Sequence, residues 1–203
     1  MEYRAIEINS RTLLNKFLRL TEQIYQGNNY YVQPLYSELR EKINPLKNPF
    51  LTYGKIKLLG VIDYNRNLVG RVVAIINPVN DKLYDKEFGF FGMFESINDK
   101  RVASLLIDQV KSLLKQMNYK KLIGPVNFTT NEESGILIDG FDHSPAFMCA
   151  YNPEYYQELL ENCNFKKAID LLAYRGYTDH VYPQKFNRIL NRIITNPNVE
   201  LRT

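Results

Sequence analysis

Two apolar, β-branched runs separated by three polar residues constrain the fold of this chain more than any other feature. The runs cover residues 56–64 and 68–76, and Asn65, Arg66 and Asn67 lie between them. Val and Ile favour the pleated, half-buried surface of a strand, and a short polar link is typical of the turn between antiparallel neighbours. The pattern therefore predicts a β-hairpin to which the other strands of a sheet must be added.

Four further runs have the apolar or alternating pattern of strands and are bounded by turn residues. They cover residues 3–8, 88–94, 121–126 and 165–177. Gly89 and Gly92 interrupt the second of these runs. Glycine inside a strand is typical of a bulge or of the close approach of a ligand backbone, and it also suits packing against the bulky Phe90, Phe91 and Phe94.

Helical periodicity is clearest at residues 99–117, where apolar side chains recur every three or four positions. Similar patterns that begin at capping residues or prolines predict helices at 10–25, 34–43 and 152–160, and another that begins at Pro183. The element order before Pro183 is therefore βααβββαβαβ, which indicates an α/β chain of the α+β kind.

Charge and composition exclude several classes of protein. The 26 basic and 22 acidic residues are scattered along the chain, so we expect no nucleic-acid partner. No run of about 18 apolar residues occurs, which argues against an integral membrane segment, and we expect a cytoplasmic protein. Cys149 and Cys163 lack the spacing of metal ligands, so we expect no disulfide framework and no metal.

A long polar loop at residues 127–148 is the best place to look for a binding site, because loops of this length in compact domains are usually functional or disordered. Asn127, Thr129, Asn131 and Glu133 offer amides, a hydroxyl and a carboxylate that suit the orientation of a polar substrate. The same groups also suit hydrogen bonds within their own turns. Asp142 with its neighbour His143 is the acid and histidine pair of this loop.

Several strings together resemble a bacterial family of two-lobed GNAT-like proteins, which have the acyl-CoA N-acyltransferase fold. They are GRVVAIINP from Gly70, FGFFGMFES from Phe88, GPVNFTTNEESGILIDGF from Gly124 and YNPEYY from Tyr151. The loop of that family reads roughly GPxNx[ST]xNxExG. Its positions are matched here by Gly124, Pro125, Asn127, Thr129, Asn131, Glu133 and Gly135.

The resemblance implies a GNAT-like fold with a central mixed, mostly antiparallel sheet flanked by helices. It covers the first of the family's two lobes, so residues 1–180 would form a GNAT-like N-terminal lobe. Residues 181–203 would begin a second lobe or a C-terminal extension. A second GNAT-like lobe, or a further copy in a homo-oligomer, is the implied protein partner.

The resemblance also implies acyl-CoA or acetyl-CoA as the acyl donor. GNAT enzymes hold its pyrophosphate on backbone amides at the N-terminus of the central helix. The corresponding turn here, residues 96–101, contains no glycine and places Asp99 where the pyrophosphate would lie, so this turn is not expected to bind CoA. The sequence therefore assigns no residues to cofactor binding.

The catalytic residues implied are Glu95, as a base at the end of a strand, and Tyr156, in a helix where GNAT enzymes often carry a tyrosine acid. Leu160 holds the usual tyrosine position and Asn164 replaces the glycine that follows it. The expected substrate-binding residues are Asn127, Thr129, Asn131, Glu133, Asp142 and Tyr155. A solvated carboxylate and core tyrosines are the alternative interpretations of Glu95, Tyr155 and Tyr156.

Three functions follow from the resemblance. The first is transfer of an acyl group from acyl-CoA to a small-molecule amine, with CoA held outside this lobe. The second is a catalytically silent GNAT-like module that binds substrate or serves only in packing. The third is a relative of the two-lobed aminoacyl-tRNA-dependent transferases, against which the lack of a basic helical extension argues.

Overall fold

A computed structural model describes residues 2–129, 131–174, 176–177 and 183–200. The chain divides into two compact units, Met1–Asp170 and Leu171–Thr203. The first unit contains the whole sheet. Whether the second begins another lobe stays a prediction.

The sheet of the first unit has five strands in the spatial order in which they follow along the chain. Strands β1 to β4 pair antiparallel, and β5 pairs parallel to β4. The strands are β1 (Arg4–Glu7), β2 (Lys55–Ile62), β3 (Leu68–Ile76), β4 (Phe88–Ser96) and β5 (Lys121–Ile123). The predicted hairpin is formed by β2 and β3, and the predicted fold class, a mostly antiparallel sheet flanked by helices, is confirmed.

Helices lie on both sides of this sheet. The helices of the first unit are α1 (Arg11–Ile24), α2 (Tyr36–Lys42), α3 (Pro78–Tyr84), α4 (Lys100–Gln116) and α5 (Tyr156–Asn162), with a short 3₁₀ helix at Pro49–Thr52. The starts of α1 and α4 follow local capping, because Ser10 accepts a hydrogen bond from the Leu13 amide and Asp99 accepts one from the Arg101 amide. The second unit contains α6 (Gln184–Ile194), which follows Pro183 as predicted.

Alternate residues of β3 divide the core into two layers. Val72 and Ala74 face the layer that contains α4 and α5, whereas Val73 and Ile75 face the layer that contains α1 and α2. Because a strand is buried on both faces here, it carries a nearly continuous apolar run rather than an alternating one. Arg71 is the charged exception in that run, and it is buried.

Strand β4 carries a bulge in its middle. Met93 has a φ of +46°, and the register with β3 shifts between Arg71 and Val73. A Cβ atom on Gly92 would lie 2.0 Å from the Val126 carbonyl oxygen, so this glycine permits another part of the chain to approach the strand. The bulge that the sequence suggested is therefore present, and the backbone that approaches Gly92 belongs to the chain itself.

The structure differs from the sequence-based expectation at two helices. Helix α3 was not predicted, although Asn77 caps it and Pro78 opens it, because the helix is short and buries no side chain. Asn152 does not cap α5. Its side chain binds the backbone of Leu137 instead, accepting from the amide at 2.6 Å.

The predicted strand at 165–177 does not form in the residues that are described. None of the five strands pairs with them, and Ile169 is exposed, as are Leu171 and Leu172. An apolar pattern is not enough to make a strand, since its backbone groups also need a neighbouring edge with which to pair.

Within the described residues, no helix is long and apolar enough to cross a membrane.

Candidate functional site

The sheet opens beside the second half of β4. Pairing with β5 stops at Phe90 and Ile123, whereas β4 continues to Ser96. The chain after β5 follows the edge of β4 for a short distance beyond the last β5 pair, where the Val126 amide donates to the Phe91 carbonyl at 2.8 Å. The opening between the two strands therefore begins beside the bulge.

Side chains that the sequence singled out cap the rest of this edge. The Asn127 side-chain oxygen accepts from the Met93 amide at 2.9 Å. The Tyr156 hydroxyl accepts from the Ser96 amide, and the Tyr155 hydroxyl donates to the Ser96 carbonyl, both at 2.9 Å. These three hydrogen bonds fix the backbone of β4 beside the opening.

Glu95 lies at the centre of a buried polar cluster. The residue is 8% exposed, and its carboxylate accepts a 2.6 Å hydrogen bond from the Tyr156 hydroxyl at Oε2. The Arg71 guanidinium lies 3.6 Å from the other oxygen, Oε1. Burial raises the pKa of Glu95 because the charged form loses solvation, and the positive charge of Arg71 opposes this rise.

Arg71 is held from the side of α1. Its Nη1 donates to the Phe17 carbonyl at 2.5 Å, and the guanidinium lies 5.1 Å from the centre of the Phe17 ring. Its buried Nε has no hydrogen-bond partner among the described residues. Sequence reasoning missed Arg71, although a charged residue inside an apolar strand signals that a buried partner is needed.

A cavity of about 140 Å³ lies against this cluster. Three tyrosines that the sequence did not single out form part of its wall. The rings of Tyr25 and Tyr31 are stacked with centroids 3.6 Å apart, and Tyr151 lies 6.3 Å from Tyr25 and 6.2 Å from Tyr31. The Tyr25 hydroxyl donates to the Tyr151 carbonyl, and burial raises the pKa of Tyr25.

Four of the predicted site residues line the cavity. They are Glu95, Asn127, Glu133 and Tyr156. The Asn127 side-chain amide donates to Glu133 Oε2 at 2.7 Å, and the Asn127 backbone amide donates to the Glu133 carbonyl. This pair closes the turn of the loop and presents a polar wall to the cavity.

The other four do not line it. Tyr155 lies next to the cluster through its bond to Ser96, while the Thr129 hydroxyl accepts a long 3.3 Å hydrogen bond from the Asn131 amide in their own turn. Asp142 is exposed and lies 2.7 Å from His143 Nδ1, a hydrogen bond that lowers the pKa of this carboxyl group. The cavity is therefore lined by Glu95 from the end of β4, Tyr156 from α5, and Asn127 and Glu133 from the loop. Asp142 and His143 do not line it.

The N-terminus of α4 does not fit a pyrophosphate. Asp99 occupies it, accepting from the Arg101 amide at 2.9 Å and from the Tyr3 hydroxyl at 3.0 Å, and it forms an ion pair of 2.6 Å with the Arg101 side chain. The hydrogen bonds from Arg101 lower the pKa of Asp99 to about 2. A phosphate group would meet a carboxylate that is already charged, in a turn that has no glycine.

A bulged β4 that precedes the central helix, and an opening between β4 and β5, place the chain in the GNAT-like acyltransferase fold. The "putative acetyl transferase from Pyrococcus furiosus" has a similar structure, with a TM-score of 0.50 and 17% sequence identity over 87% of this chain and 100% of that chain. At this identity the likeness concerns the fold alone.

Two curated proteins are similar in sequence. Protein YghO of Escherichia coli (strain K12) is 30% identical over 189 residues, which cover 90% of this chain and 48% of that protein. The bacterial ceramide synthase of Caulobacter vibrioides (strain NA1000 / CB15N) is 27% identical over 189 residues, covering 93% of this chain and 49% of that protein. The chain thus spans about half the length of the curated relatives it matches. No protein-family model matches the chain.

Proposed function

We propose that this chain is part of an N-acyltransferase that transfers an acyl group from acyl-CoA to an amine, and that the cavity beside Glu95 receives the amine. The observation that supports this most is the buried Glu95 carboxylate at the opening beside β4, in a fold shared with an acetyl transferase. The relative named bacterial ceramide synthase is compatible with it, because ceramide is itself an N-acylated amine.

Glu95 is the proposed proton acceptor for the amine nitrogen. A carboxylate with a raised pKa is a stronger base than an exposed carboxylate with an ordinary pKa. Its pKa also lies closer to neutral pH, where a general base works best. Oε2 is bound by Tyr156, which leaves Oε1, 3.6 Å from Arg71, to meet the substrate. In this proposal Tyr156 is a positioning residue, because its hydroxyl hydrogen is committed to Glu95.

Asn127 and Glu133 are proposed to orient the acceptor from the loop side. Their mutual hydrogen bond engages one Glu133 oxygen and holds the turn, so the groups that face the cavity are already ordered before a ligand binds. Preordered groups of this kind bind without the entropic cost of ordering a loop.

The donor is proposed to be held away from α4. Asp99 and its partners occupy the place where the phosphates of CoA would lie, and the relatives are about twice as long as this chain. We therefore propose that a second GNAT-like lobe, in the same protein or in a further copy, supplies the donor site. Residues 1–170 would then shape the acceptor site.

A catalytically silent module that binds amines without acylating them is the second candidate. The occupied N-terminus of α4 favours it, because this lobe then has no phosphate site of its own at that turn.

An acyl-transfer assay tests the proposal. The protein is incubated with acyl-CoA of several chain lengths and a panel of primary amines, and amide products are measured by mass spectrometry. We expect amide formation, and a loss of about a hundredfold or more in Glu95→Gln, the size of a general-base contribution. Glu154→Gln, an exposed carboxylate two residues before Tyr156, serves as the control and should retain activity. Equal rates in wild type and Glu95→Gln would remove Glu95 from catalysis, and no amide with any pair would favour the silent module.

A further inference from the structure

Two segments that line the cavity carry exposed apolar side chains. On the segment after α1, Val32 lines the cavity and is exposed, and Leu35 follows the cavity-lining Pro34. On the long loop, Phe147 and Met148 lie between two other lining residues. Phe147 is 92% exposed. We call Val32, Leu35, Phe147 and Met148 the apolar rim.

The loop part of the rim has a defined conformation. The Cys149 amide donates to the Ala146 carbonyl at 3.0 Å, which closes a turn around Phe147 and Met148. Met148 has a φ of +63°, a conformation that side chains other than glycine seldom adopt. Pro145 and Cys149 on either side face the cavity. Packing within the lobe gives no reason for an exposed Phe here, and exposed apolar groups of this kind often mark a binding surface.

The cavity is large enough to hold only one end of a long ligand. At about 140 Å³ it is similar to engineered cavities of about 150 Å³ that hold benzene, so it admits a small head group and not a long chain. Any longer part of a ligand must therefore lie outside the cavity. Val32 of the apolar rim lines the cavity, and the other three rim residues lie within two positions of lining residues in sequence.

The groups that line the cavity favour a cation. Glu95 and Glu133 contribute two carboxylates, and the wall also includes Tyr25, Tyr31 and Tyr151, a residue type whose ring attracts ammonium groups. Of the two lining cations, Lys42 pairs with Glu132 at 2.8 Å, and Arg71 lies 3.6 Å from Glu95 and donates to the Phe17 carbonyl. Two carboxylates against the one charge of Arg71 leave the cavity wall with an excess of negative charge.

We propose that the acceptor is an amphiphilic primary amine whose ammonium group binds beside Glu95 and whose hydrocarbon chain lies over the apolar rim. This proposal rests on the proposed function at one point, namely the assignment of the cavity to the amine acceptor. The chain adds affinity through buried methylene groups, up to about fourfold in the dissociation constant for each one that the rim covers.

Binding of alkylamines to the 203-residue chain tests this inference without any acyl transfer. Butylamine, octylamine and dodecylamine are titrated by calorimetry below their aggregation concentrations, together with dodecanol as the uncharged match. We expect affinity to rise with chain length, dodecanol to bind at least tenfold more weakly than dodecylamine, and Glu95→Gln to remove that preference.

Variants of the apolar rim distinguish binding of the ligand's hydrocarbon chain from binding of its head group. Phe147→Ser and Leu35→Ser should weaken dodecylamine severalfold and leave butylamine unchanged, and both side chains are exposed, so the fold should tolerate their loss. Leu83→Ser, at an exposed apolar position on α3, is the matched control and should change neither. An equal loss in Leu83→Ser would show unspecific adsorption and overturn the proposal, as would affinity that does not depend on chain length.

The same titration with a protein that carries this chain together with the proposed second lobe tests whether another part of the protein covers the rim. If dependence on chain length disappears there, another part of the protein covers the rim and the inference is wrong. If long amines bind as expected but are never acylated, the proposed N-acyltransferase function fails while the assignment of the site stands.

Discussion

The hydroxyl group of Tyr156 donates a 2.6 Å hydrogen bond to the Glu95 carboxylate and lies 61 residues away from it in sequence. The same hydroxyl accepts from the Ser96 amide, so one side chain both orients the candidate base and ends the ladder of β4. Loss of this hydroxyl should therefore affect stability as well as activity.

Tyr156→Phe is expected to lower the free energy of unfolding by about 1–3 kcal/mol, because it leaves the buried Ser96 amide without an acceptor. Urea unfolding measures this loss. Tyr155→Phe removes a hydroxyl from a half-buried position and is the control, with a smaller expected loss. A Tyr156→Phe protein as stable as wild type would show that water or another donor replaces the hydroxyl.

Arg71→Met should be among the most destabilising single changes in the site, by about 3 kcal/mol, because it leaves a buried carboxylate without its cation. Combining it with Glu95→Gln should cost less than the sum of the two single changes. The exposed pair Lys57 and Glu7, 2.9 Å apart, provides a control cycle with coupling below about 1 kcal/mol. Strict additivity at Arg71 and Glu95 would mean that the pair does not interact.

The raised pKa of Glu95 has a defined effect on stability. The folded state binds a proton at Glu95 more tightly than the unfolded state, so this group should lower stability as pH rises from its ordinary pKa of 4.5 through the raised value. The difference in unfolding free energy between wild type and Glu95→Gln, measured across this range, isolates the effect from other titrating groups. A difference that does not vary with pH, or that favours wild type at higher pH, would contradict the raised pKa.

Asp99→Ser tests why α4 does not fit a phosphate. Serine retains a capping oxygen while the negative charge is removed, so inorganic pyrophosphate should bind a few-fold more tightly than to wild type, in line with the modest size of helix-terminus effects. Calorimetry with pyrophosphate measures this. Asp108→Ser removes an exposed charge from the same helix and should not change binding. Identical weak binding by all three proteins would mean that Asp99 is not what excludes the anion.

Gly92→Ala should force β4 and the segment after β5 apart, since the added Cβ would lie 2.0 Å from the Val126 carbonyl oxygen. We expect a loss of about 1–3 kcal/mol in unfolding free energy, as for other overpacked sites. Gly176→Ala adds the same atom where nothing lies within 4 Å and should leave stability nearly unchanged. If the two variants unfold alike, the close approach at Gly92 does not occur in solution.

Local features of the sequence determined much of the fold. The hairpin of β2 and β3 and the central helix α4 follow from side-chain period, and the starts of α1 and α4 follow from the capping side chains of Ser10 and Asp99. These features act over a few residues, so they can be read without knowledge of the rest of the chain. The occupied N-terminus of α4 was predictable for the same reason, because Asp99 acts on its own helix.

Only the tertiary structure decided which polar groups meet. Tyr25 and Tyr151 are separated by 126 residues, yet the Tyr25 hydroxyl donates to the Tyr151 carbonyl beside the cavity. The long loop also placed Glu133 in the cavity and left Asp142 in solvent, a difference that the motif did not contain. Likewise, the apolar pattern at 165–177 did not produce a strand in the described residues, because no sheet edge is paired with it. Burial and pairing depend on neighbours that are distant in sequence, whereas period and capping do not.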